Sequence, residues 1–137
     1  MPLMWNLDGS SRVVRMRYVA PVAFAEWRDA HDAALPALSA DLSVGLLIDR
    51  RDAPPPPTTF AQAIASYLAS HRAIFSGRRI AILVTAAGDA AYGMARMQGI
   101  LNESAGAVTC VFTSELEALV WLRSAERCPV DSVRTVQ

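Results

Sequence analysis

Val44-Gly45-Leu46-Leu47-Ile48-Asp49 and Ile80-Ala81-Ile82-Leu83-Val84 decide how this chain is read. Each is a short run of apolar residues with no polar alternation, the pattern of a strand covered on both faces. Between them, Pro54 to Pro57 form a stiff polyproline segment that can join neither a sheet nor a helix interior. Thr59 then stands three residues before Gln62, a spacing that predicts a capping box at a helix start. Beyond it Phe60, Ile64, Tyr67, Leu68, His71 and Phe75 fall on one helical stripe, which Ser76-Gly77 ends. Strand, helix, strand is the unit of a parallel sheet.

Working toward the N-terminus, Phe24, Trp27, His31, Leu35 and Leu38 recur at helical spacing, and Pro36 predicts a bend or an end to that helix. Before it, Leu7-Asp8-Gly9-Ser10 marks a turn between two strand-like stretches, the signal of a hairpin. The second stretch alternates: Val14, Met16 and Tyr18 on one face, Val13, Arg15, Arg17 and Val19 on the other. A strand with arginines along one face reads as a partly exposed sheet edge. Toward the C-terminus, Thr85 to Asp89 is a loop of small residues and a helix is predicted from about Ala90 to Glu103. Its core side is read as Met94, Met97 and Leu101, with Ala95 and Gly99 allowing close approach to the sheet. Val108 to Phe112 is a last strand, and Ser114 with Glu117 form a second capping box opening a helix through Leu119, Trp121 and Leu122.

The expectation is therefore one α/β domain over residues 1–123, with 124–137 a loosely ordered polar tail. Its sheet has about five strands, mixed but mostly parallel, with an antiparallel N-terminal hairpin at one edge and four helices spread over both faces.

Composition narrows the functional classes. With 53% hydrophobic and 19% charged residues the chain is not disordered, and a formal net charge of zero asks for neither nucleic acid nor an anionic membrane. All 13 basic residues are arginine, scattered through an alanine-rich chain, which reads as the codon bias of a GC-rich, bacterial genome. No apolar run approaches the ~20 residues of a membrane helix, and the first residues lack a signal-peptide pattern, so a cytoplasmic protein is expected. Cys110 and Cys128 have no partner at metal-ligand or C-x-x-C spacing and are read as two buried or idle thiols. No dinucleotide fingerprint, P-loop or receiver-type acidic pocket is present, and no lysine could serve one. Neither a catalytic group, a metal nor a cofactor is expected.

Leu46-Leu47-Ile48-Asp49, Ile80-Ala81-Ile82-Leu83-Val84, Tyr92-Gly93-Met94-Ala95-Arg96-Met97, and Val111-Phe112 with Glu117-Ala118-Leu119-Val120-Trp121-Leu122 together resemble the SpoIIAA-like group of STAS-related domains over roughly Val13 to Leu122. That resemblance implies the STAS fold and a non-enzymatic binding or regulatory module. In relatives that antagonise anti-sigma factors, a serine or threonine at the start of the helix after the central strand is phosphorylated. The matching place here is Thr58 and Thr59, where four prolines replace the serine-bearing stretch.

In a parallel α/β sheet, ligands gather at the carboxyl ends of the strands. That rim carries Asp49, Arg50, Arg51 and Asp52, and Tyr92 and Arg96 on the following helix lean toward it. The arginines suit a phosphate or carboxylate, against the reading that they pair with Asp49 and Asp52 as a solvated cluster. Thr59 as a phosphosite competes with Thr59 as a helix cap. Three functions remain: the STAS-like module, expected to form a homodimer or meet a protein partner through exposed residues such as Val13 and Val19; a carrier of a small anionic or apolar ligand, including a lipid; and an enzyme using His31 or His71.

Overall fold

A computed structural model describes residues 2–86 and 90–129 of the chain. Its elements run β1 (Leu3–Asp8), β2 (Val13–Tyr18), α1 (Phe24–Ala40), β3 (Gly45–Asp49), α2 (Thr58–Ser70), α3 (Arg72–Phe75), β4 (Arg79–Leu83), α4 (Ala90–Asn102), β5 (Val108–Phe112) and α5 (Glu115–Leu122). The five strands form one sheet in the order β1-β2-β3-β4-β5. β1 pairs antiparallel with β2, in register Leu3 to Tyr18 and Asp8 to Val13, and the remaining pairs are parallel. The expected mixed sheet with its hairpin is present. The helices differ from expectation: the described residues hold five, because the stripe from Phe60 to Phe75 breaks at His71 and resumes as the short α3.

Strand order explains where the helices go. When strands are added in one direction and every crossover has the same hand, all crossing helices land on one face. Accordingly α1, α2 and α4 pack on the face formed by Val14, Met16, Tyr18, Leu46, Ile48, Ile80 and Ile82. Among the described residues the opposite face has only α5, whose Ala118, Trp121 and Leu122 cover Val13, Leu47, Ala81, Leu83, Cys110 and Phe112. The helices are thus divided three to one across the sheet, with the short α3 beside α2.

That division corrects the reading of β2. It is an inner strand, between β1 and β3, and β1 is the edge. On the α5 side of β2 only Val13 is buried beneath the helix: Arg15 meets Glu115, the first residue of α5, and Arg17 lies beyond it, exposed. Val13 is buried under α5 and is not available to a second copy, whereas Val19 is exposed.

Three local readings also change. Pro36 lies inside α1 without ending it: it occupies the solvent side, and the burial of Trp27, His31, Ala34 and Leu38 outweighs one lost main-chain bond. α2 begins at Thr58 with Pro57 as its cap residue, so Thr59 is inside the helix and makes no capping bond. At α5, by contrast, Ser114 Oγ accepts from the Glu117 N–H at 3.3 Å, as expected of a cap. On α4 the inward residues are Ala95, Gln98 and Asn102, with Met94, Met97 and Leu101 only half-buried on its flanks. Gly99 does permit close approach, since a Cβ there would stand 3.3 Å from Thr109 Cγ2 on β5.

The cysteines are not idle thiols. Cys110 on β5 and Cys128 are joined in a disulfide, both buried. Arg79 on β4 adds hydrogen bonds to the Trp121 carbonyl at 2.9 Å and the Glu126 carbonyl at 2.6 Å. Residues 124–128 are thus tied to the domain rather than loose, and the rest of the expected tail, 130–137, lies outside the described residues. The loop residues 87–89 of the predicted rim lie outside them too.

Candidate functional site

The Arg50 main-chain N–H donates to the Leu83 carbonyl at 2.9 Å, so strand pairing continues one residue past β3. The pleat therefore continues as well, and consecutive side chains go to opposite faces. This splits the predicted rim cluster in two.

Asp49 and Arg51 go with α5. The Asp49 carboxylate accepts from Arg51 Nε at 3.0 Å, Arg51 Nη2 at 2.8 Å and the Arg51 main-chain N–H at 3.1 Å. Arg51 also reaches Glu115 at 3.0 Å, and Arg15 meets Glu115 through two bonds of 3.2 Å. Burial opposes ionisation of Asp49, but the Arg51 hydrogen bonds and the nearby Arg15 overcome it and hold its pKa below the usual carboxylate range. Glu115 is lowered too, by its hydrogen bonds to Arg15 first and by Arg51. Two arginines and two carboxylates balance, so this half is an internally satisfied network. Asp52 pairs with Arg17 at 3.0 Å.

Arg50 goes the other way, onto the face of Ile48 and the three-helix core. It is 7% exposed, and its Cζ lies 5.4 Å from the centroid of the Tyr18 ring. Its side chain has no carboxylate or carbonyl partner among the described residues, and Arg50 Nε is buried without a hydrogen bond. Arg78 shows what a structurally satisfied buried arginine looks like here. It donates to the carbonyls of Ile74, Asp41, Val44 and Leu38 at 2.6 to 3.2 Å and thereby stitches the ends of α1 and α3 to β3.

Arg50 opens on a cavity between the sheet and α1, α2 and α4, with about 20 Å³ of room for the centre of a water molecule. Tyr18, His31, Ile48, Ile82 and Gln98 help to line it. Four buried side-chain polar atoms lack a protein partner among the described residues, and three of them, Tyr18 Oη, Arg50 Nε and Gln98 Oε1, belong to residues bordering this one cavity. Buried polar atoms are normally paired with protein or with ordered water, so three such atoms on residues around one cavity mark a place suited to a water or a small polar ligand.

His31 completes the lining. Its ring stacks on Trp27 with centroids 3.7 Å apart, and its Nδ1 lies 2.8 Å from the Trp27 carbonyl oxygen. Nδ1 therefore carries the hydrogen and donates it, leaving Nε2 with the lone pair. Burial lowers the His31 pKa to about 4, helped by the positive Arg50 and opposed by the bond to the Trp27 carbonyl, so the ring is neutral at pH 7. Burial raises the Tyr18 pKa, with Arg50 opposing, so the phenol keeps its proton. The site offers one cation, one phenol and two lone-pair acceptors, and no activated nucleophile.

The other predicted residues lie apart from this cavity. Tyr92 is half-buried against the main core, and Arg96 is half-buried on α4 with no ion pair among the described residues. Thr58 and Thr59 are exposed in the first turn of α2. His71 is partly exposed, with Nδ1 held by the Tyr67 carbonyl at 3.0 Å. Sequence reading missed Tyr18, Gln98 and Asn102. Tyr18 could have been found, because it shares a face with Ile48 and hence with Arg50 once the two strands are paired. Compared with known proteins, the chain matches no family model, no curated protein and no solved structure.

Proposed function

We propose that this chain is a non-enzymatic binding module, of STAS-like architecture, that takes a small anionic ligand beside Arg50 at the carboxyl ends of β2, β3 and β4. The observation that carries this reading is Arg50, 7% exposed as a residue, with Nε buried without a hydrogen bond and no carboxylate partner among the described residues, where Arg78 has four carbonyls. A buried unpaired charge costs several kcal/mol, and an anion supplied from solution offsets that cost. Strand-end position favours the same place. With about 20 Å³ of room for the centre of a water molecule, the cavity favours a small acid over a lipid body. An NMR titration with sodium acetate at constant ionic strength tests it. Saturable shifts are expected at Tyr18, His31 and Arg50, and Arg50→Met should abolish them. Absence of saturation, or the same shifts in Arg50→Met, would overturn the reading.

Self-association is the second reading. β1 is an edge strand without proline or lysine, and its Met4 and Leu7 are about half exposed, features that invite pairing with a second copy. Sedimentation at high micromolar concentration decides it: a monomer throughout would remove the dimer. Cytoplasmic location belongs to the proposal as well, and the Cys110–Cys128 disulfide weighs against it, since reducing compartments keep such bonds open.

A further inference from the structure

Continuing the β1–β2 register one pair beyond Leu3 and Tyr18 sets Pro2 opposite Val19, and the Val19 N–H donates to the Pro2 carbonyl at 2.8 Å. Bonded and unbonded pairs alternate along an antiparallel ladder, so Met4, Asn6 and Asp8 also turn their main-chain groups toward β2. Leu3, Trp5 and Leu7 turn theirs the other way. β1 is the edge of the sheet, and among the described residues no hydrogen bond reaches those outward groups.

The same three residues are apolar and, by alternation, share one face. On it Leu3 is buried, Trp5 is half-buried against the main core and Leu7 is 47% exposed. From Leu3 to Leu7 no residue is charged, and the leucines stand symmetrically about Trp5. A two-fold axis through Trp5 would set it against Trp5 of a second copy, Leu3 against Leu7, and Met4 against Asn6. Asp8 would fall opposite Pro2, so no like charges are opposed.

α1 packs over β1, and its outer flank decides whether a second copy fits. Asp32 accepts from the Tyr67 hydroxyl at 2.6 Å, which identifies the side of α1 turned to α2. Counting ~100° per residue from the buried stripe of Trp27, His31, Ala34 and Leu38, the opposite flank carries Glu26 and then Ala30, Ala33 and Ala37. Side chains that small let the two α1 helices lie close together above a shared sheet.

Resting on the reading that the chain self-associates, we infer that β1 pairs antiparallel with β1 of a second copy about a two-fold axis through Trp5, so that one sheet runs through both copies. The outward N–H and C=O groups of Leu3, Trp5 and Leu7 all find partners in that seam, and Leu7 is covered by Leu3 of the second copy. A strand from a different protein would satisfy the same main-chain groups. Only a second copy also matches the symmetry about Trp5 and meets the alanine flank of α1 with its own.

Amide hydrogen exchange from low to high micromolar concentration, run beside sedimentation, tests this on the unaltered protein. As the dimer forms, exchange at Leu3, Trp5 and Leu7 should slow in step with it, while Met4 and Asn6, already bonded to β2, stay slow throughout. Leu7→Lys and Leu7→Pro leave the β1–β2 ladder intact, and each should return the chain to a monomer. A dimer whose Leu3, Trp5 and Leu7 amides exchange as fast as in the monomer overturns the seam and leaves self-association standing, and so does a dimer that survives both substitutions. A monomer at every concentration removes both readings. Should either variant fail to fold, the exchange pattern of the unaltered protein still decides.

Discussion

Asp49 and Arg50 are consecutive in the chain and face opposite sides of the sheet, the first closed by Arg51 and the second left without a carboxylate among the described residues. Their substitutions should therefore differ in sign. Asp49→Ala removes the acceptor of three hydrogen bonds and should cost about 1–3 kcal/mol. Arg50→Met replaces a cation whose Nε is buried without a hydrogen bond by an apolar chain of similar length, and should leave stability unchanged or raise it by about 1–4 kcal/mol in anion-poor buffer. Urea unfolding of the two variants, measured side by side, checks both.

Stability should fall in acid before the carboxylates titrate. His31 has a pKa of about 4 in the folded chain against 6.5 as its ordinary value. Between those pH values the unfolded chain binds the extra proton, so the contribution is complete above about pH 6.5 and declines as pH drops toward 4. The total is about 3 kcal/mol. Denaturation midpoints from pH 7 to 4.5 should show the decline, and His31→Gln should flatten it.

The disulfide encloses α5, the only helix on its side of the sheet among the described residues. Cys110 and Cys128 are 18 residues apart, and opening a loop of that size should cost about 3 kcal/mol. Reductant, or Cys128→Ser, should lower the melting temperature. Hydrogen exchange should speed up first in α5, because Ala118, Trp121 and Leu122 are the cover of the second core.

Gly106 follows the helical turn Glu103–Ala105 with φ of 79°, a left-handed conformation that residues with a Cβ avoid. A Cβ there would also stand 2.8 Å from Ser76 Oγ. Gly106→Ala should lose about 1–3 kcal/mol. Adding Ser76→Ala should recover only the contact part, since the backbone strain remains; thermal melts of the single and double variants separate the two.

Much of this molecule was set by its sequence alone. The unbroken apolar runs at Leu46–Ile48 and Ile80–Val84, the alternation from Val13 to Val19 and the helical stripe through Trp27 and His31 are local periodicities, and local periodicity needs no partner to be read. The Ser114 cap is local in the same sense. Tertiary structure decided the rest. Which side of α4 turned inward depended on Gln98 and Asn102 finding Ala61 and Thr109, a pairing that outbid the more apolar Met94 and Met97. The union of Cys110 with Cys128 depended on α5 folding back over β5. The site depended on both kinds of information. Arg50 was visible as a charge at a strand end, but only strand pairing through Leu83 put it on the opposite face from Asp49, against Tyr18 and within reach of a cavity whose other wall comes from α4. Separation into faces is a property of the paired sheet, so neighbouring charges that read as one cluster became a closed ion network on one side and an unpaired cation on the other.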